Sequence, residues 1–181
     1  MALAATMHRF VVNLSDVDRG VYTELDLRVA RHPSESVPYL LTRVLGYALC
    51  FVDGIAFTKG LCAGDEPALE AHDPLGQRTL WVEVGSPSAE KLHKATKSGA
   101  KVVVVTHHEP RSLLRNVRGR TIHKVETIEG IALSATLLDG LSHTLDRTCE
   151  WTVVVTGGEV FVDTGRGQFS GRVEKFSFAE A

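Results

Sequence analysis

Four valines in a row, Val102 to Val105, narrow the folds open to this chain more than any other feature. A strand that is apolar at every position has both faces covered, whereas a strand at a sheet surface alternates apolar and polar residues. Before the valines, Ser88 to Ser98 reads as a helix capped by Ser88, and Thr79 to Val84 before that reads as a strand. Strand, helix and fully apolar strand in succession predict a βαβ unit whose last strand, Lys101 to Thr106, is central and parallel.

Elements of other kinds surround this unit. Arg9 to Asn13 and Val21 to Val29 alternate apolar and polar residues across the turn-like Ser15 to Gly20, which predicts an antiparallel hairpin. After the His32-Pro33 break, Ser34 can cap a helix whose apolar face runs Val37, Leu40, Leu41, Val44, Leu45, Ala48 and Val52, with Gly54 ending it. Ile55 to Thr58 reads as a short strand, and Gly60 to Gly76 as an irregular, acid-rich stretch of the kind that carries sites. Leu113 to Val117 reads as a brief helix, Val125 to Ile128 as a weak strand, and Gly130 to Leu145 as a second long helix. The end reads as strands Trp151 to Thr156 and Glu159 to Asp163 around Gly157-Gly158, then Arg172 to Phe178. The expected fold is α/β: one domain over residues 1–181, with a mixed β-sheet flanked by helices.

Composition excludes several classes. Twenty Lys and Arg against twenty-two Asp and Glu leave a net charge of -2, so the chain is not coated in positive charge, and phosphate binding would need a local basic groove. Cys50, Cys62 and Cys149 are odd in number and form no C-x-x-C pair, which argues against a disulfide framework and a thiolate zinc site. The opening Met-Ala-Leu-Ala-Ala-Thr is too short for a signal-peptide core, and no apolar run approaches the roughly 20 residues that span a bilayer. The expectation is a cytoplasmic protein with no membrane partner.

Several motifs are set aside. No phosphate loop of the G-x-x-x-x-G-K-[ST] type and no G-x-S-x-G elbow occurs, and Gly165 to Gly171 has the wrong glycine spacing for a dinucleotide fingerprint. His107 and His108, read as strand residues, would point to opposite faces and could not share one ion. What remains is a group of acids, Asp65, Glu66 and Glu83, followed by a helix carrying Lys91 and Lys94. Two carboxylates from neighbouring segments can hold a Mg²⁺, leaving positions for water and a phosphate oxygen. Glu83 lies two residues after Trp81 and shares its face of the strand, while Val82 and Val84 take the other. The alternative is a strand-end carboxylate answered by water or a lysine, and for Lys91, Lys94 and Lys97 the alternative is a solvated helix face.

The blocks Ala30 to Glu35, Phe57 to Leu61, Asp65 to Leu69, Leu80 to Gly85 with Pro87, and Arg166 to Gln168 resemble, in this order, those of the YaeQ family over nearly the whole chain. The resemblance implies a restriction-endonuclease-like fold of the PD-(D/E)XK superfamily, with core order αβββαβ and one core strand inside the acidic stretch. By that likeness Glu83-Val84-Gly85 stands where the superfamily has (D/E)-x-K, and Asp65 or Glu66 stands near the first metal-binding acid. Gly85 replaces the lysine and Ala68 follows Pro67, so a basic residue would have to come from elsewhere: Lys91, Lys94 or Lys59. Glu35, in the first turn of its helix, is a further candidate, or else a carboxylate meeting the helix dipole; Arg31 could bind phosphate or pair with Glu35.

Two readings follow. One is a Mg²⁺-dependent nuclease or phosphodiesterase, with Asp65, Glu66 and Glu83 as ligands and Lys91, Lys94 and Glu35 as catalytic residues. The other is a non-catalytic module binding nucleic acid or a protein partner through the same groove.

Overall fold

The alternating segments at the start form the longest pair of strands. In the computed structural model, which describes residues 4–59 and 64–180 apart from the Glu180 side chain, β1 (Thr6–Asp16) and β2 (Val21–Arg31) pair antiparallel from Thr6↔Arg31 to Asp16↔Val21. Phe10, Val12, Leu14, Leu25, Leu27 and Val29 are buried, so one face of the hairpin lies on the core as the alternation requires.

Helix α1 (Val37–Leu49) starts later than expected, because Ser36 and not Ser34 is the cap and accepts from the Tyr39 amide. It also stops at Leu49 and not near Gly54. Arg19 donates to the Ala48 carbonyl (2.9 Å) and the Phe51 carbonyl (3.1 Å), satisfying groups that another turn would have used. Nine of its thirteen residues are buried, so α1 is a core helix and not a surface one.

Three antiparallel strands follow, β3 (Ala56–Phe57), β4 (Leu69–His72) and β5 (Arg78–Val84); β4 is the strand expected inside the acidic stretch. Helix α2 (Ala89–Lys97), capped by Ser88, then leads to β6 (Lys101–Thr106), parallel to β5. The valines are explained by this placement. Val103 and Val105 join Leu40, Leu41, Leu45 and the hairpin residues in one core, whereas Val102 and Val104 join Trp81, Leu92, Ala95, Leu113 and Val117 in a second core on the opposite face. Helix α1 therefore covers one face of β5 and β6, and α2 with α3 (Pro110–Val117) covers the other.

Two expectations beyond α3 are corrected. The weak strand at Val125 to Ile128 is a single 3-10 turn, Val125–Thr127, and the predicted long helix divides into β7 (Glu129–Leu133) and α4 (Ala135–Ser142). Ser134 caps α4 by accepting from the Leu137 amide, and the apolar run before it is claimed by two neighbours, since β7 pairs parallel with β6. Its other edge meets β10 (Gln168–Ser177), whose Phe176 ring lies where a side chain at Gly130 would stand.

With β8 (Thr148–Thr156) and β9 (Glu159–Asp163), the ten strands form one mixed sheet in the order β2-β1-β8-β9-β10-β7-β6-β5-β4-β3, curled towards a barrel. Because α1 fills only part of the curl, a cavity of about 870 Å³ remains beyond Leu49, near the start of β6 and β7. Four of the charged residues that line it pair with one another: Arg19 with Asp16 (2.6 Å) and Lys101 with Glu129 (3.0 Å). Among the described residues no helix is long and apolar enough to cross a membrane.

Candidate functional site

The acid that the strand pattern singles out sits at the far end of β5, on the α2 face. Glu83 is 2% exposed, and Trp81 donates to its Oε1 through Nε1 (2.6 Å), both side chains projecting from the same face of the strand. Lys91, in the first turn of α2, brings Nζ to 2.9 Å from Glu83 Oε2. Burial pushes the Glu83 carboxyl above its ordinary range, and the Lys91 ammonium and the indole N–H oppose that rise.

One turn along α2, Lys94 lies 2.7 Å from Asp65, and Lys94 and then Lys91 hold that exposed carboxyl below its usual range. The structure thus brings Asp65, Lys94, Lys91 and Glu83 into one strip of alternating charge. Glu66 is half-buried, in a segment fixed by hydrogen bonds from the Thr58 amide to the Ala68 carbonyl (3.2 Å) and from the Ala68 amide to the Val82 carbonyl (2.9 Å). Neither Glu66 nor the exposed Lys59 has an ion-pair partner among the described residues. Gly60 and Leu61 of the Phe57 to Leu61 block, and Cys62, lie outside them.

Glu35 belongs to a different structure. Its carboxylate receives Nε (2.9 Å) and a terminal nitrogen (3.2 Å) of Arg43, both residues being buried, and the His32 amide (3.2 Å). Arg43 also donates to the Ala30 carbonyl at 2.7 Å, so the pair ties the end of β2 to α1. Arg31 does not pair with the Glu35 carboxylate; its Nε donates to the Glu35 backbone carbonyl (3.0 Å).

Between the two acids stands Tyr39. Its ring is 3.2 Å from where a Cβ at Gly85 would lie, and Gly85 has φ +85, a backbone conformation that side chains other than glycine adopt at a cost. A side chain at Gly85 would therefore meet two obstacles, a strained backbone conformation and a tight contact with an aromatic ring. Burial holds the Tyr39 hydroxyl above the usual phenol range; Arg43 opposes this, and Glu35 and Glu83 add to it.

His107 and His108 are also corrected. They follow β6 instead of lying in it, and beyond the strand end their rings come together with centroids 4.0 Å apart. Burial, then the neighbouring imidazole, lowers the His107 pKa. Among the described residues no three His, Cys, Asp or Glu side chains gather as metal ligands. Three of the four candidate acids, Asp65, Glu83 and Glu35, are already answered by cations, so the residues present do not fit a preformed metal centre.

Sequence reasoning missed Tyr39, Arg43 and a strong asymmetry of charge. Residues 86–124, which include α2, β6 and α3, hold nine of the twenty Lys and Arg but two of the twenty-two Asp and Glu. A groove of about 660 Å³ runs between the start of α2 and the end of α3, lined by Ser86, Pro87, Ala89, His93, Asn116 and Arg120.

A curled mixed sheet with two helices, α1 and α4, on its inner core, two, α2 and α3, on the opposite face, and a partnered carboxylate at the end of a central strand defines an α/β protein. The YaeQ protein family matches residues 1–173, and the chain belongs to that family. It is similar to the uncharacterized protein YaeQ of Escherichia coli (strain K12), 38% identical over 109 residues, or 60% of each chain. That of Salmonella typhi is 31% identical over 176 residues, or 92% of each chain. Among solved structures, the YaeQ protein from Pseudomonas syringae is 28% identical with a TM-score of 0.84, covering 96% of each chain. The one from Xanthomonas axonopodis pv. citri is also 28% identical, with a TM-score of 0.85 over 96% of this chain and 98% of that one.

Proposed function

We propose that this chain is a nucleic-acid-binding module on a nuclease-like scaffold and does not cut what it binds. The scaffold reading is supported by the order α1-β3-β4-β5-α2-β6, a helix, three strands, a helix and a strand, with the first three strands antiparallel and the last parallel. The observation that carries the non-catalytic reading is the state of Glu83. Both of its oxygens are occupied, by Lys91 at 2.9 Å and Trp81 at 2.6 Å, and the Tyr39 ring packs 3.2 Å from where a Cβ at Gly85 would stand. The binding half of the reading rests on the cationic segment beside it, a local excess that a net charge of -2 conceals.

A second reading, Mg²⁺-dependent hydrolysis, is favoured by one observation. Lys91 and Lys94 stand against Glu83 and Asp65, where a displaced catalytic lysine would be needed.

One experiment separates the two. Purified wild-type protein is incubated with single- and double-stranded DNA and RNA in Mg²⁺ or Mn²⁺, beside Glu83→Gln, a variant whose amide oxygen still accepts from Trp81. The binder reading expects no cleavage by either protein and no metal-induced rise in Tm. Metal-dependent cleavage by the wild type that disappears in both Glu83→Gln and Lys91→Ala would overturn it.

A further inference from the structure

Helix α3 buries Leu113 and Val117 and turns Arg111 and Arg115 outward, with Arg118 at its C-cap continuing the same face at i, i+4 and i+7. The three span about 10 Å along the helix at 1.5 Å per residue. Arg9, Arg19, Arg43, Arg78 and Arg166 are all spent on carboxylates elsewhere in the molecule. By contrast Arg111, Arg115, Arg118 and the adjoining Arg120 are exposed and form no ion pair among the described residues. A row of guanidinium groups on a packed helix, with no carboxylate paired to it among the described residues, is an anion surface.

Three properties choose the anion. First, the apolar side of α3 is committed to the second core, and no large apolar residue exposed on the protein lies on α3, so the helix has nothing to insert into a lipid surface. Second, residues 86–127 contain no Phe, Tyr or Trp, so the surface lacks the aromatic platforms on which unpaired bases stack. Third, the face presents a charge row about 10 Å long, and a duplex carries one phosphate charge per about 1.7 Å of axis, enough to meet every arginine in the row.

We propose that the arginine face of α3 docks a nucleic-acid duplex by its phosphate backbone, without reading its sequence. This rests on the binding reading above and names its partner class. The duplex would lie across α3 and the lip of the α2–α3 groove, where Arg120 extends the row.

The test is fluorescence anisotropy of a labelled 20-base-pair DNA duplex with the full chain, in EDTA, from 50 to 200 mM KCl. The expected result is an affinity that falls linearly on logarithmic axes with salt. Each arginine removed should lower the slope by about 0.9, so Arg111→Gln/Arg115→Gln/Arg118→Gln should lose about 2.7 units of slope. At 50 mM salt the triple variant should bind at least about tenfold more weakly, and Lys175→Gln, in the lining of the cavity beyond Leu49, should bind like the wild type. These arginines are exposed and form no ion pair among the described residues, so the variant's Tm should be unchanged. A wild-type slope in the triple variant, or displacement by a single strand or by polyglutamate as effective as by unlabelled duplex, would overturn the proposal. Tighter single-strand binding would leave the binding reading standing and sink the duplex; failure of every nucleic acid to bind would sink both.

Discussion

Glu35 and Glu83 are both buried carboxylates facing a cation, and the contrast lies in how each cation is held. Arg43 gives Glu35 two nitrogens, adds a bond to a strand carbonyl, and is itself only 6% exposed at its side chain. Lys91 gives Glu83 one nitrogen from a side chain that is 27% exposed, on a flexible stem with water within reach. The first pair is a joint between β2 and α1, with no freedom left. The second leaves Glu83 with another donor, the indole of Trp81, that does not depend on the lysine. Opposite charges side by side therefore mark a structural lock in one place and an adjustable group in the other, and the second cation's exposure is what tells them apart.

The sharpest way to break this comparison is to remove each cation in turn. Arg43→Met should cost about 3–5 kcal/mol in urea denaturation, because it strands a buried carboxylate. A loss below that for Lys91 would erase the distinction.

Lys91→Met should cost less, about 1.5–3 kcal/mol at pH 8. The cost should shrink as pH falls. The Glu83 carboxyl lies above its ordinary range in the folded protein, so its contribution to stability is present at low pH and lost as pH rises through that raised value. Losing the ammonium raises it further, and Tm differences between variant and wild type should be larger at pH 8 than at pH 5. An equal deficit at both would show that Glu83 does not respond to Lys91.

Gly85→Ala should cost about 1–2 kcal/mol from its positive φ, and the Tyr39 contact at 3.2 Å should add to it. In a Tyr39→Ala background only the backbone part should remain. Gly85→Lys is expected to give a destabilised protein without nuclease activity, read from denaturation and from cleavage assays. The smallest effect belongs to the exposed Asp65–Lys94 pair: Asp65→Asn should leave the Tm unchanged at physiological salt, in differential scanning fluorimetry.

Much of this was legible in the sequence where periodicity spoke alone. The hairpin alternation, the helix from Ser88 and the valine strand each had one consistent reading. Where two periods fit the same letters, the sequence could not choose: Gly130 to Leu133 suits the start of a helix as well as a strand, and only pairing with both β6 and β10 decides it. At the site, Lys91 and Lys94, two of the three lysines that the sequence offered, stand one turn apart on α2 against Glu83 and Asp65. The Glu35 partner was hidden by distance along the chain, although an arginine between Thr42 and Val44 on an otherwise apolar helix was a signal that a buried acid lay near. Tyr39 left no such sign, since an aromatic in a first helical turn says nothing of the glycine it will cover.

The parallel pairing of β1 with β8 joins the first strand to one that begins only at Thr148. During synthesis the hairpin is therefore complete long before its neighbour exists, and one edge of β1 stays open through most of the chain's emergence. Completion of the sheet must wait for the strands that begin at Thr148, so its rate is set by a long-range encounter and not by any local helix or turn. Pulsed hydrogen exchange during refolding should find the amides shared by β1 and β8 protected after those of α2 and β6; simultaneous protection would mean that the ends of this chain meet early.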